Sequence, residues 1–408
     1  MNKLFFYTTL FALFSTIGLY SESLVKERKK KTTFNLIDYN YNLGDVYLDA
    51  AYRLKLGNDD NASSSQDSST RTEGFYYENA LKMKVFADFS DSFKIDTDFV
   101  VGFRNWVSGN NDDYLILQSN GDTLAFDWDL SEKTRLSLVE RARVNVYEVQ
   151  DTQANQGSKN LQMFKNDVGL QLFTHINEES SYGIKFGRRD VKSMNGDFEN
   201  RERFENYVGL KYNAQISPKT KVSPYYNYQT YSWKKNGNND AKEWQAGLEI
   251  EHKASKTMLV TIYLGWQEMI FDVKNQTVND SGRGLEGGVK LAHQISETLS
   301  HNISAKSTRR ISTSSSVNFA DDFNLTYGVK KQFNSKFDGA LNLNWFHSED
   351  HIGGGEKYNV YVPSVNIGYQ ATAKSRFDFN FRYTEKRSDR QNAEYDRSQV
   401  YLMYTFNF

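Results

Sequence analysis

Apolar and polar residues alternate along most of this chain, in runs separated by two kinds of polar break. Val46, Leu48, Ala50, Tyr52, Leu54 and Leu56 form one apolar series, and Asp49, Arg53 and Lys55 fall between its members. A period of two puts alternate side chains on opposite faces of an extended strand, and a tilted run of this length crosses a bilayer. The same alternation recurs over 81–89, 93–103, 244–250, 258–266, 377–383 and 400–408 among others, eighteen runs in all.

The breaks differ in a regular way. Short polar turns begin near Ser90, Ser131, Asn177, Ser217, Ala254, Ser296, Asn334 and Thr372, at intervals of 37 to 46 residues. Between them lie longer breaks rich in Asn, Asp, Ser and Gly, such as 57–74. This rhythm predicts an all-β, transmembrane, antiparallel up-and-down β-barrel with short periplasmic turns and long extracellular loops. About 18 strands are expected, with 16–20 open because the fourth could start as early as Tyr114, the thirteenth around Ile303 is Ser-rich, and 34–41 could add another. A repeat of about forty residues also suits a propeller or β-helix, but long loops at one end alone favour the barrel. An even strand number places both termini on the short-turn side.

Composition sharpens this picture. Charged residues make up 25% of the 408-residue chain and mean hydropathy is −0.69. Such a chain crosses lipid only if half of each strand faces a polar interior, as in a barrel. Aromatic residues reach 15%. Phe89, Phe93, Phe333, Phe337 and Phe377 sit beside short turns, while Trp244, Trp266 and Trp345 sit toward the long loops, as interfacial girdles require. A net charge of −1 without a basic aromatic module gives no expectation of nucleic-acid binding. The absence of cysteine excludes a disulfide framework, and no cofactor is expected.

Lys3 precedes an apolar run over 4–19, and Ser21 and Ser23 follow. This predicts a cleaved secretory signal peptide over 1–23. A basic segment, 24–43, comes next and is expected to be a solvated periplasmic extension; the barrel occupies 44–408. Exported without a spanning helix, the chain is expected in the outer membrane of a Gram-negative cell.

The C-terminal strand alternates aromatic residues, with Tyr404, Phe406 and the terminal Phe408 in step. This ending is similar to the assembly signal of outer-membrane barrels. With Phe379-Asn380-Phe381-Arg382-Tyr383 and 394–400, it resembles the putative outer-membrane β-barrel porin families, best over roughly the last ninety residues. The resemblance implies contact with the barrel-assembly machinery through the last strand, and surroundings of outer-membrane lipid and lipopolysaccharide. It also implies an alternative role, since members of those families often accompany exopolysaccharide or capsule pathways: export or surface display without free diffusion.

Strand parity sorts the remaining side chains. Arg53, Lys82, Lys84, Arg104, Arg141, Arg143, Lys185 and Arg382 point inward and form a basic wall. Inward acids are Asp96, Asp98, Glu249, Glu251 and Glu286. Opposed walls of this kind set a transverse field, and the expected role is a channel for passive diffusion of small hydrophilic solutes, anionic or hydroxylated. Tyr207, Tyr225, Tyr231 and Tyr263 also point inward and could either stack against sugars or fill space.

Catalysis is not expected. His252, His293 and His301 lie beside short turns on the outward face, and His175 faces in. His347 and His351, with Glu349 and Asp350, form the single cluster that suggests a metal or a hydrolytic site; no metal is expected there, because a Gly-rich loop follows.

Overall fold

The computed structural model describes residues 24–25, 27–28, 31, 39–61, 73–108, 113–119, 121–146, 162–194, 199, 201–234, 240–272, 281–311, 318–351, 355–390 and 393–408. The expected signal peptide, 1–23, lies outside them, as do residues 34–38 of the segment considered for an extra strand. Strands run in chain order as β1 (Tyr41–Leu43), β2 (Val46–Asp59), β3 (Gly74–Ser90), β4 (Phe93–Trp106), β5 (Tyr114–Gln118), β6 (Leu124–Asp129) and β7 (Thr134–Val146). They continue as β8 (Gln162–His175), β9 (Ser180–Ser193), β10 (Arg203–Ser217), β11 (Thr220–Trp233), β12 (Asp240–Lys253) and β13 (Met258–Asp272). The last are β14 (Ser281–Ser296), β15 (Leu299–Ile311), β16 (Phe319–Gln332), β17 (Phe337–His351), β18 (Lys357–Gln370), β19 (Ser375–Ser388) and β20 (Tyr395–Asn407).

Apart from β5 and β6, strands pair antiparallel with their neighbours in sequence, and the ring closes where β2 meets β20, from Ala51 opposite Asn407 to Asp59 opposite Gln399. The terminal Phe408 amide donates to the Ala50 carbonyl at 3.1 Å. Strand β1 is a short hairpin partner of β2 alone. Strands β5 and β6 both pair with β4, so they are two halves of one interrupted crossing. The result is a closed barrel of eighteen crossings, the expected number. The interruption explains why Tyr114 and Leu124 both read as starts of the fourth strand. The Ser-rich thirteenth crossing is a regular strand, β15.

The short turns form where they do because their leading polar side chains hold the backbone. Ser90, Ser131, Ser217, Ser255 and Ser296 each accept an amide two or three residues on through their hydroxyl oxygens. Asn177, Asn334 and Thr372 do the same at 2.9, 2.8 and 3.1 Å. These local bonds satisfy amides that leave the ladder and fix the reversal.

Burial alternates along the strands with the predicted parity. On β13, Ile262, Leu264 and Trp266 are exposed while Tyr263, Gly265 and Gln267 are buried. Outward positions are an apolar surface: Leu264 is 60% exposed and Leu285 is 72% exposed. Such a band is stable only against hydrocarbon. Aromatic stacks ring the short-turn end, among them Phe93 with Trp128 (centroids 5.3 Å) and Phe337 with Tyr369 (4.7 Å). Among the described residues no helix is long and apolar enough to cross a membrane.

Toward the long-loop end the interior carries apolar cores. Tyr231, Trp233, Ala241, Met269, Phe271, Ile311 and Phe319 form one, and Phe346, Tyr358, Val360 and Val362 another. Each large side chain so buried contributes about 1.5–3 kcal/mol. These cores thicken the wall over β11–β18 and leave β19, β20 and β2–β4 as the polar side.

Candidate pore lining

On that polar side, Arg53 shares the inner face of β2 with Lys55, Lys82 and Lys84 share the inner face of β3 with Tyr76 and Glu78, and Arg104 joins them from β4. Pairing divides these cations. Arg104 forms an ion pair with Glu78, which also holds Lys55 at 3.2 Å. The Arg104 guanidinium stacks over Tyr76 (4.1 Å), and the Lys55 ammonium lies 4.0 Å from the Tyr401 ring centre. Arg53, Lys82 and Lys84 make no hydrogen bond or ion pair among the described residues, and Arg53 Nε is buried without an acceptor. Asp49 and Asp98 stand in register with Lys84 but outside ion-pair distance. A buried cationic donor without an acceptor is an open valence of the kind that anion sites use.

Beside this group is a cavity of about 250 Å³, lined by Lys55, Tyr76, Arg104, Arg382, Gln399 and Tyr401, with Asn342, Asn366 and Asn380 completing its polar rim. The asparagines and tyrosines escaped the sequence reading, although parity marked them inward, because uncharged residues gave no reason to single them out.

The other predicted cations are distributed. Arg141 pairs with Asp122 at 2.6 Å, across the break between β5 and β6. Lys185 is buried with its ammonium 5.2 Å from the Tyr207 ring. Arg143 lies on the same inward face of β7 as Arg141, without a recorded partner among the described residues. The basic wall is therefore concentrated on β2–β4 and β19; on β7 Arg141 is balanced by Asp122 whereas Arg143 has no ion pair among the described residues.

The predicted acids also separate. Glu249 and Glu251 are bound to Lys211 and Lys221 at 3.0 and 3.1 Å. Asp96 holds Lys31, and Asp98 stays near Lys84. Glu286, 2% exposed, accepts the Tyr225 hydroxyl at 3.1 Å, while its second oxygen is buried without a donor. Strand β14 stands on the far side of the ring from β2 and β3.

The four tyrosines are 1–5% exposed and lie flat against the wall. Tyr207 donates to Asp167, and Tyr231 donates to Glu243, each at 2.5 Å. A side chain at Gly247 would run into the Tyr225 ring, so glycine makes the recess in which that ring lies. This arrangement fills space and leaves little ring face for a sugar.

The His347 cluster does not converge. His347 Nδ1 meets Asn359 at 3.1 Å, and His351 bonds Asp321 at 2.6 Å while stacking on Phe319. No group of three candidate metal ligands occurs among the described residues. His293 and His301 touch each other at 3.1 Å near a short turn, and His175 meets Glu27 at 3.3 Å.

That last contact belongs to a feature the sequence did not disclose. Within the expected basic segment, Val25 is 1% exposed and Arg28 bonds Asp127 inside the barrel, whereas Glu27 and residues 40–43 are exposed. The contacts of Val25 and Arg28 were not legible in the sequence because their partners come from strands distant along the chain.

A closed, eighteen-stranded antiparallel barrel with an apolar belt and a charged interior is the porin architecture. Among solved structures the chain is similar to OpdK from Pseudomonas aeruginosa, solved with vanillate, with TM-score 0.53 and 12% identity over 89% of this chain and 99% of that one. A BenF-like porin from Pseudomonas fluorescens Pf-5 gives TM-score 0.54 and 11% identity over 89% and 99%. OccK7 (OpdD) of Pseudomonas aeruginosa gives 0.52 and 11% over 90% and 99%. No protein-family model and no curated protein matches the chain. At these identities the likeness is one of fold.

Proposed function

We propose that the chain is a Gram-negative outer-membrane channel through which small hydrophilic solutes diffuse passively, with anions favoured. The observation that carries the anion preference is the group Arg53, Lys82 and Lys84, without ion pairs among the described residues, on the wall whose Lys55, Arg104 and Arg382 line a polar cavity of about 250 Å³. Lumen cations that are not neutralised lower the free energy of a passing anion and raise that of a cation. The OpdK structure, of the same fold, was solved with vanillate, which supports a small-solute role. The proposal includes export by the 1–23 leader, lipid and lipopolysaccharide around the belt, and assembly through Tyr404, Phe406 and Phe408. The buried tyrosines give the hydroxylated-solute reading less support than the cations give the anionic one.

Planar-bilayer recording tests this. The purified protein should give discrete conductance steps and, in a potassium chloride gradient, a reversal potential of anion-selective sign. Lys82→Glu with Lys84→Glu should move that potential toward cation selectivity. Absence of steps from folded protein removes the channel reading; an unmoved reversal potential removes the anion part.

A further inference from the structure

The N-terminal segment runs along the inner wall and is held at both ends. The Leu24 amide donates to Asn227 Oδ1 on β11 at 3.3 Å. Val25 packs above Gly183 of β9 and Gly209 of β10; a side chain at Gly209 would stand 2.9 Å from Leu24 Cβ, and one at Gly183 would strike Val25. Glycine at these two places creates an apolar slot for the segment. Glu27 then meets His175 of β8, and Arg28 reaches three carboxylates. Its Nε donates to Asp127 at 3.0 Å, one Nη to Asp96 at 3.4 Å, and the other bonds Asp122. Arg135 donates to the Arg28 carbonyl at 3.0 Å, and Lys31 donates to Asp96 at 2.7 Å.

The receiving site is built into the barrel. Asp96 comes from β4, Asp127 from β6, and Asp122 from the break between β5 and β6, which lets its side chain join the other two. The side chains of Asp122 and Asp127 are only 9% and 12% exposed, and three carboxylates so placed repel one another unless cations sit among them. A planar guanidinium answers that geometry.

We propose that this acidic cradle, with its glycine-floored slot, is a peptide-binding site inside the lumen. Its ligand is the chain's own basic segment, seated through Leu24, Val25, Glu27, Arg28 and Lys31, which narrows the channel at the short-turn end. The narrowing rests on the channel reading above; the binding does not. Because Leu24 is held from β11 and Arg28 from β6 and β4, the described residues lie along one stretch of the inner wall and take up part of the bore on that side. Its release widens the path past the cationic wall.

The test is a variant lacking 24–31, produced with its own leader and checked for folding by heat-modifiable gel mobility. Its single-channel conductance should exceed that of the full chain, because the peptide no longer takes up part of the bore. The synthetic peptide LVKERKKK, added to the short-turn side, should restore the smaller value. Independently of conductance, a fluorescein-labelled copy should bind the shortened protein in detergent, read by anisotropy. Asp122→Asn with Asp127→Asn should weaken that binding by about ten-fold or more. In the full chain, which lacks cysteine, Val25→Cys with Gly183→Cys should form a disulfide on mild oxidation and hold the small conductance until reduced. Peptide binding with no steps from either protein keeps the site and removes the channel reading. Unchanged conductance on deletion, together with no peptide binding, overturns the proposal.

Discussion

At the scale of residues, the proposed channel gives the interior charges two different jobs, which stability measurements separate. Glu205 is fully buried and accepts from Arg189 at 2.7 Å, Arg203 at 2.8 Å and Gln229 at 3.0 Å. Glu205→Ala removes the carboxylate shared by two buried guanidinium groups, with Arg189 keeping Asp167, and should cost about 3–5 kcal/mol. The urea midpoint of the folded barrel should fall accordingly, with anion selectivity retained. Lys82 has no such partners among the described residues, so Lys82→Ala should change stability by no more than ~0.5 kcal/mol while reducing anion selectivity. Equal stability losses in the two variants would show that Lys82 is part of a structural network. Parity in the sequence revealed which way each of these side chains points. It did not reveal that Glu78 holds Arg104 or that Asp122 holds Arg141, because those pairs depend on register and on a break in a strand.

At the scale of elements, two neighbours on β17 test the alternation that underlies the whole assignment. Leu341 is 39% exposed on the outer face, whereas Asn342 lines the inner cavity. Arginine on the lipid side of a barrel costs about 2–4 kcal/mol near the midplane and much less inside. Leu341→Arg should therefore lower the urea midpoint strongly, whereas Asn342→Arg should leave it nearly unchanged and increase anion selectivity. The reverse order would mean that the faces had been exchanged. Elements were the most legible level of this molecule. Each short turn carries a Ser, Thr or Asn that caps its own backbone, a local signal that any sequence reading can use. The break between β5 and β6 left two overlapping strand starts, and the N-terminal segment left no periodic signal. Both are held by contacts between residues far apart in the chain, as where Arg28 meets Asp127.

At the scale of the whole molecule, ring closure converts sequence-distant charges into one field. The seam joins β2 to β20 through Asp59, fully buried and bonded by Arg397 at 2.9 Å and by Gln399 at 2.9 Å. Closure brings Arg382 and Arg104 around one cavity, although about two thirds of the chain lies between them. A field made by wall cations acts on a solute at a distance, so mobile salt screens it. The screening length is about 10 Å at 0.1 M salt and about 3 Å at 1 M. Anion selectivity, measured as reversal potential at a fixed concentration ratio, should therefore fall as the mean salt concentration rises between these limits. Selectivity that stays constant over this range would instead locate discrimination in direct contact between the solute and a few groups such as Arg53. In that case, substitutions at Lys84, set further along the wall, should leave the reversal potential unmoved at every concentration, and the pair of measurements decides between a charged wall and a single site.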